Sequence, residues 1–261
     1  MIPLKSAKEI KIMREGGRRL FWVFKQIKIK PGMRLKEIDR FVEELIEKQG
    51  GKPSFKMVEG YHWASCLNVD QGVVHGVPTN YRLKKGDILS IDIGMFYQGL
   101  HTDMARTLCV RSQKSIPKES REAGKVKSQD EAFLEAGKKA LAKAIKAAQP
   151  GNRVGHISQA IEKEIKKHSF QPIRALVGHG VGKKLHEPPA IPCYLKGKIT
   201  ETERLKPGVT LAIEIIYTQG KPKVVVDNDG WTVETADGQL AGLFEDTVVI
   251  TQKGPLVLTQ A

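Results

Sequence analysis

Four acids and three histidines of this chain lie in short patterned stretches where their side chains could act together. Asp92 closes Gly86-Asp-Ile-Leu-Ser-Ile-Asp92, and Glu214 closes Gly208-Val-Thr-Leu-Ala-Ile-Glu214, so two strand-like runs each leave a glycine turn and end on a carboxylate. A carboxylate in an apolar strand costs several kcal/mol unless a cation or hydrogen bonds compensate it. Asp103 follows Asp92 by eleven residues, where two antiparallel strands joined through Phe96 to Thr102 would set the acids side by side. Glu245 opens the last strong strand, Glu245-Asp-Thr-Val-Val-Ile. His75 stands in Val-Val-His75-Gly-Val-Pro78, His179 in Gly178-His-Gly-Val-Gly182, and His186 before Glu187-Pro-Pro. The glycines beside His75 and His179 strip away steric cover and let backbone and imidazole approach a ligand closely.

Each residue also has an ordinary reading. A histidine beside glycines serves as a turn residue, an aspartate at a strand end forms turns, and Glu245 fits an exposed edge. Several other chemistries match the motifs less well. His186-Glu-Pro-Pro is not H-E-x-x-H, because prolines break the helix that would place two histidines on one face. Gly178 and Gly182 are four rather than five residues apart, and Lys184 stands where a phosphate loop needs Ser or Thr. No G-x-S-x-G begins a serine triad. What remains is four acids and one histidine suited to metal, with two further histidines nearby. Such a set suits a pair of divalent ions, Mn, Fe or Co, with Zn also compatible. Two ions ~3.5–4 Å apart can share a hydroxide and stabilise both ends of a hydrolytic displacement.

The elements that must position these groups repeat. Ser6-Ala-Lys-Glu9 reads as a capping box opening a helix to about Ile27, and Pro31-Gly32 precedes a second helix with Leu35, Ile38, Phe41, Val42, Leu45 and Ile46 on one face. Strand-like segments run from about Ser54 to Val110. Ser128-Gln-Asp-Glu131 is another capping box, opening an Ala-rich helix to about Ala148, and Val154, Ile157, Ile161 and Ile165 mark a fourth helix. Pro31-Gly-Met-Arg34 matches Pro150-Gly-Asn-Arg153 at an offset of 119 residues, and the glycines of the two acidic strands match at 122. Two offsets this close point to duplicated α+β halves, each with two helices and several strands.

At 261 residues the chain is long enough for one large domain or two small ones, and 40% hydrophobic content reads as globular. No apolar run approaches the ~20 residues needed to cross a bilayer, and Met1 to Ile10 holds no apolar signal core. Cys66, Cys109 and Cys193 form no C-x-x-C pair, so neither a zinc ribbon nor a disulfide framework is supported, and a reducing cytoplasm is the expected home. The net charge of +14 is concentrated in helical faces and in Lys114 to Lys127. A solvated surface accounts for most of it, and weak attraction to a polyanion such as ribosomal RNA is the functional reading. No recognition helix or aromatic interleaving stands out, so specific DNA binding is not expected. No heptad argues against a monomer.

Taken in order, Val-Val-His75-Gly-Val-Pro, Gly-Asp87-Ile-Leu-Ser-Ile-Asp92, Asp103-Met-Ala-Arg-Thr, Gly-His179-Gly-Val-Gly with His186-Glu-Pro-Pro, Leu-Ala-Ile-Glu214 and Phe-Glu245-Asp-Thr-Val-Val resemble the type I methionine aminopeptidases. These belong to the duplicated pita-bread metallohydrolase family, and the likeness runs from about Ala7 to Thr251. The resemblance implies an α+β, pseudo-two-fold pita-bread fold, with central antiparallel β-sheets and flanking helices. It would form one catalytic domain over 1–261, with halves at about 5–127 and 128–251. It further implies that Asp92, Asp103, His179, Glu214 and Glu245 hold two divalent ions, with Asp103 and Glu245 bridging. A bridging water would attack the first peptide bond of nascent polypeptides that begin with methionine. Glu214 is implied as general base, His186 as hydrogen-bond donor to the scissile carbonyl and developing oxyanion, and His75 as the contact to the amide nitrogen. Tyr61, Cys66, Leu185 and Trp231 are implied to form the methionine pocket, where sulfur–aromatic contacts add modest affinity. A small second residue in the substrate is implied as well.

Three positions depart from the family pattern. Ile215 follows Glu214 where Pro is frequent, and Leu243 and Asp246 flank Glu245 where many bacterial members carry Gln and His. These changes spare every implied ligand and bear on metal preference and turnover. Two other readings stay open: an X-Pro peptidase of the prolidase or aminopeptidase P kind, and a metal-free pita-bread protein that binds ribosomes.

Overall fold

The computed structural model describes residues 2–111 and 129–260. The charged stretch after Arg111 and the Ser128 cap therefore lie outside the described residues. Helix α1 (Ala7–Gln26) opens as its sequence directs. Ser6 Oγ accepts from Glu9 N at 3.3 Å, and Glu9 Oε2 accepts from Ser6 N at 2.8 Å. In α2 (Leu35–Lys48), Arg34 N donates to the Glu37 carboxylate, and in α4 (Val154–Lys167), Arg153 N donates to His156 Nδ1. These matched caps stand 119 residues apart. Helix α3 (Gln129–Ala147) packs against α4.

The first half supplies β1 (Lys52–Pro53), β2 (Ser65–Val69), β3 (Gly72–Val74), β4 (Ile88–Tyr97) and β5 (Leu100–Cys109). The second supplies β6 (Gln171–Pro172), β7 (Val177–Gly180), β8 (Glu187–Pro192), β9 (Thr210–Thr218), β10 (Val224–Val226), β11 (Val233–Thr235), β12 (Ala241–Thr251) and β13 (Gly254–Val257). One large antiparallel sheet runs β1-β4-β5-β12-β9-β7-β8, so the two hairpin-like pairs meet at a β5–β12 seam. A small sheet, β10-β11-β3, closes over one side.

The duplication extends to register. Asp92 pairs with Ala105 in the first half and Glu214 with Glu245 in the second, so β4 maps onto β9 at an offset of 122 and β5 onto β12 at 140. Gly86 N donates to Val110 O and Gly208 N to Ile250 O, each at 2.9 Å. Isolated bridges join Arg34 to Arg82 and Arg153 to Arg204, again at offsets of 119 and 122. Strand alternation then sorts the side chains. Leu89, Ile91, Ile93 and Met95 pack with Leu20, Ile38 and Val42 under α1 and α2. Leu211, Ile213, Ile215 and Tyr217 pack with Phe133, Ile157 and Ile161 under α3 and α4. Each such side chain contributes roughly 1.5–3 kcal/mol when fully buried. The even-numbered positions of β4 and β9 are left to face the opposite side of the sheet.

Two strand boundaries differ from the sequence expectation. The connection between β4 and β5 is only Gln98-Gly99, with φ of 47° and 87°. Both central residues are left-handed, as a type I′ hairpin turn requires, so pairing continues through Phe96, Tyr97 and Leu100 to Thr102. Asp92 and Asp103 consequently lie inside strands. Glu245 is likewise the fifth residue of β12, because Ala241 to Phe244 already pair with β9.

Candidate metal centre and active-site cleft

Five adjacent strands each present one polar side chain to the same face: Asp92 from β4, Asp103 from β5, Glu245 from β12, Glu214 from β9 and His179 from β7. The register requires this. Asp92, Ala105, Glu245 and Glu214 form one lateral row, Asp103 lies two residues from Ala105, and His179 pairs with Ala212, two residues from Glu214. Ligand atoms of Asp103, His179 and Glu245 all lie within 4.8 Å of one another, and His179 Nε2 is 3.4 Å from Glu214 Oε1.

Asp103 is held on both sides of its backbone: its N donates to Thr247 Oγ1 and its C=O accepts from the same hydroxyl, each at 2.8 Å. His179 Nδ1 donates to Gly180 O at 2.8 Å, which leaves the Nε2 lone pair turned toward the acids. Arg106 reaches Glu245 O from the helix side of the sheet and pairs with Asp246 at 2.8 Å, and Thr259 donates to the same Asp246 carboxylate. Asp246 thus acts on the helix face, away from the acids. Leu243 and Ile215 are fully buried.

The electrostatics call for a cation. Burial, reinforced by neighbouring acids, pushes Asp92, Glu214 and Glu245 well above the ordinary carboxylate range. Burial raises Asp103 to about 7. Asp92 Oδ1 and Glu245 Oε1 are buried with no hydrogen-bond partner among the described residues, and no lysine or arginine among them lines the cleft. Burial lowers His179 to about 4, and partial desolvation in the cleft also lowers His75 and His186, which remain exposed to solvent, so the neutral form of each imidazole is favoured. Orphaned carboxylate oxygens beside a free imidazole nitrogen fit hard or borderline divalent ions.

The cleft holds about 130 Å³. His186 lies against His179 with ring centroids 4.4 Å apart. His75 follows β3 directly with φ of 56°, a conformation uncommon outside glycine, and its ring lines the cleft wall. Tyr61 forms edge-on contacts with Trp231 and Trp63, both at 5.2 Å, and its hydroxyl donates to Ser65 O and Gly76 O. Cys66 and Leu185 complete this apolar end. All eleven residues singled out from the sequence line the one cleft. Phe55, Val58 and Val74 line it too and were not foreseen. Phe55 follows Pro53-Ser54, which signals a turn and gives no periodic clue to a pocket wall.

Against known proteins, the model for metallopeptidase family M24 matches residues 11–252. Methionine aminopeptidase 1 of Bacillus subtilis is 40% identical, with all of both chains covered. The methionine aminopeptidase of Clostridium perfringens is 38% identical over 99% of each chain. The crystal structure of the methionine aminopeptidase from Thermotoga maritima superposes with a TM-score of 0.91 at 36% identity, covering all of both chains. The prolidase from Pyrococcus furiosus shares the fold, with a TM-score of 0.73 at 24% identity, and this chain spans 65% of it. Full-length likeness of this degree, on a sheet that gathers four acids and a histidine in one cleft, makes the chain a member of family M24 and, within it, of the methionine aminopeptidases.

Proposed function

We propose that the enzyme removes the N-terminal methionine from nascent polypeptides, favouring substrates with a small second residue. The observation that carries this reading is the junction in one cleft of a carboxylate–imidazole cluster with an apolar, aromatic and thiol-lined end. A methionine side chain held by Tyr61, Cys66, Leu185 and Trp231 would bring the first peptide bond beside the acids. The whole chain, 1–261, would act as one catalytic domain with halves at about 5–127 and 128–251.

As a metallopeptidase of this family the enzyme uses divalent metal, and the donor set here supports two ions, of Mn, Fe, Co or Zn. Asp92, Asp103, His179, Glu214 and Glu245 would hold them, with Asp103 and Glu245, on the two strands of the central seam, shared. Bound there, the ions would lower the pKa of a water molecule and polarise a carbonyl oxygen. Glu214 takes the proton released by the attacking water. His186 donates a hydrogen bond to the scissile carbonyl and to the negative charge that grows on it. His75 contacts the amide nitrogen and assists its protonation as the bond breaks. Neutral imidazoles, which desolvation in the cleft favours, suit both roles.

No helix among the described residues is long and apolar enough to cross a membrane. We place the enzyme in the cytoplasm as a monomer, with the +14 charge giving weak, salt-sensitive attraction to ribosomal RNA. The test is release of free methionine from Met-Gly-Met-Met and of the first residue from an X-Pro peptide, by metal-stripped protein with Mn, Fe(II), Co or Zn restored. Methionine release from the first substrate is expected. Cleavage of the X-Pro peptide alone would move the assignment to the prolidase-like relatives, and cleavage of neither with any metal would favour a binding role.

A further inference from the structure

Lys5 lies on the segment that enters α1, far in sequence from the cleft, yet its side chain is only 4% exposed and its ammonium pairs with Glu187, whose side chain is 6% exposed. The pair is built in from several directions. Lys5 N donates to Gly208 O at 2.7 Å, on the turn that leads into β9. The second oxygen of Glu187 accepts from Lys184 N at 3.1 Å, closing the loop between β7 and β8. A Cβ on Gly182 would overlap Lys5 Cε and come within 2.9 Å of Glu187 Oε1, so any side chain there would push the ammonium from this position. The carbonyl of Gly182 in turn accepts from His101 N at 2.7 Å. The loop gripped in this way, residues 181–186, carries Leu185 and His186 to the cleft. Glu187, the first residue of β8, directly follows His186, the last residue of this loop, so a contact that fixes Glu187 fixes the backbone next to the His186 ring.

A buried ion pair is weak support for stability, because desolvation offsets most of its attraction. A pair that fixes the backbone one residue from a ring in the cleft has a geometric consequence instead. We infer that Lys5, through Glu187, is a positioning residue that holds His186 at the scissile carbonyl. The inference rests on the role proposed above for His186. A ring displaced by about 1 Å from the developing oxyanion costs on the order of 10²-fold in rate while leaving substrate binding largely intact.

The test is a double-mutant cycle on the metal-loaded enzyme with Met-Gly-Met-Met. Its members are wild type, Lys5→Met/Glu187→Gln, His186→Ala and the combination. Removing both charges leaves no orphaned ion, so the fold is retained. The charge-free pair should lower kcat about 10–100-fold with KM within about twofold, and Mn(II) binding followed by calorimetry should be unchanged. In the His186→Ala background the same two substitutions should have no further effect on kcat. Lys183→Ala, which removes the neighbouring exposed pair with Glu9, should keep kcat. If the charge-free pair melts far below wild type, Glu187→Gln alone, which keeps a Lys5–amide hydrogen bond, gives the same cycle with a smaller loss. Wild-type kcat in the charge-free protein, or losses that multiply in the His186→Ala background, would overturn the positioning role alone. Absence of methionine release by wild type would overturn the functional reading, and this inference with it.

Discussion

The two halves obey one blueprint in their scaffold and break it at their chemistry. Thr107 and Thr247 occupy equivalent places across the seam. Thr107 Oγ1 bonds the C=O and N of Leu243, and Thr247 Oγ1 bonds those of Asp103. The equivalent of Asp103 is therefore Leu243, and the equivalent of Glu245 is Ala105. The acids Asp92 and Glu214 do match each other, whereas the partner of Ser90 on β2 is Asn68, standing where His179 pairs with Ala212 on β7. A second difference lies in the hairpins. Two residues join β4 to β5, but 219–240 join β9 to β12, and that longer connection carries β10, β11 and Trp231 across to β3 and the cleft. Duplication thus supplied a seam with paired strands, and unequal side chains and one insertion turned the seam into a cleft with a carboxylate–imidazole end and an apolar, aromatic end.

The comparison can be broken at several points. The largest effect should come from Asp103→Asn, which removes an acid that the first half alone supplies at this position. Methionine release should fall by at least about 10³-fold, because several kcal/mol of charge stabilisation goes with the ligand. Next come the two threonines. Thr107→Val and Thr247→Val should destabilise the fold alike, by about 1–3 kcal/mol, since each orphans buried main-chain groups. Only Thr247→Val should also weaken Mn(II) binding, by about 10–100-fold in calorimetry. Equal metal affinity in the two variants would mean that the seam hydroxyls are purely structural. Trp231→Ala tests the insertion, and should raise KM for methionine peptides about tenfold, as expected for loss of roughly 1.4 kcal/mol of side-chain contact, with a smaller change in kcat.

The smallest effect is one of pH on the metal-free protein. Burial holds Asp103 at about 7 against an ordinary 3.8, so folding favours its protonated form. Its contribution to stability is present at low pH and is lost as pH rises from about 4 to about 7. Metal-free Asp103→Asn should therefore melt level with metal-free wild type near pH 4 and about 5 °C above it at pH 8. A constant difference across that range, followed by scanning calorimetry, would show that the carboxylate is not strained by burial.

Much of this was legible locally. The Ser6–Glu9 cap, the Pro-Gly-x-Arg repeats before α2 and α4, and the Gly-to-acid strands are short-range signals, and their offsets of 119 and 122 located the duplication. The 140-residue offset of β5 onto β12 was not legible, because the insertion hides it and strand pairing across the seam sets the register. The tight turn at Gln98-Gly99 moved Asp92 and Asp103, and pairing of Ala241 to Phe244 with β9 moved Glu245, from strand ends to strand interiors. Phe55, Val58 and Val74 escaped notice because pocket walls follow no period. Lys5 and Glu187 meet only because the segment before α1 passes the β7–β8 loop, a contact between residues 182 positions apart.

Titration of metal-stripped protein with Mn(II), following bound ions and methionine release from Met-Gly-Met-Met in the same samples, tests the five-strand metal centre most directly. Activity should rise from near zero and saturate as the protein binds two ions, and Asp103→Asn should show neither the full stoichiometry nor the activity. Methionine release by rigorously metal-free wild type, or wild-type binding and rate in Asp103→Asn, would contradict it.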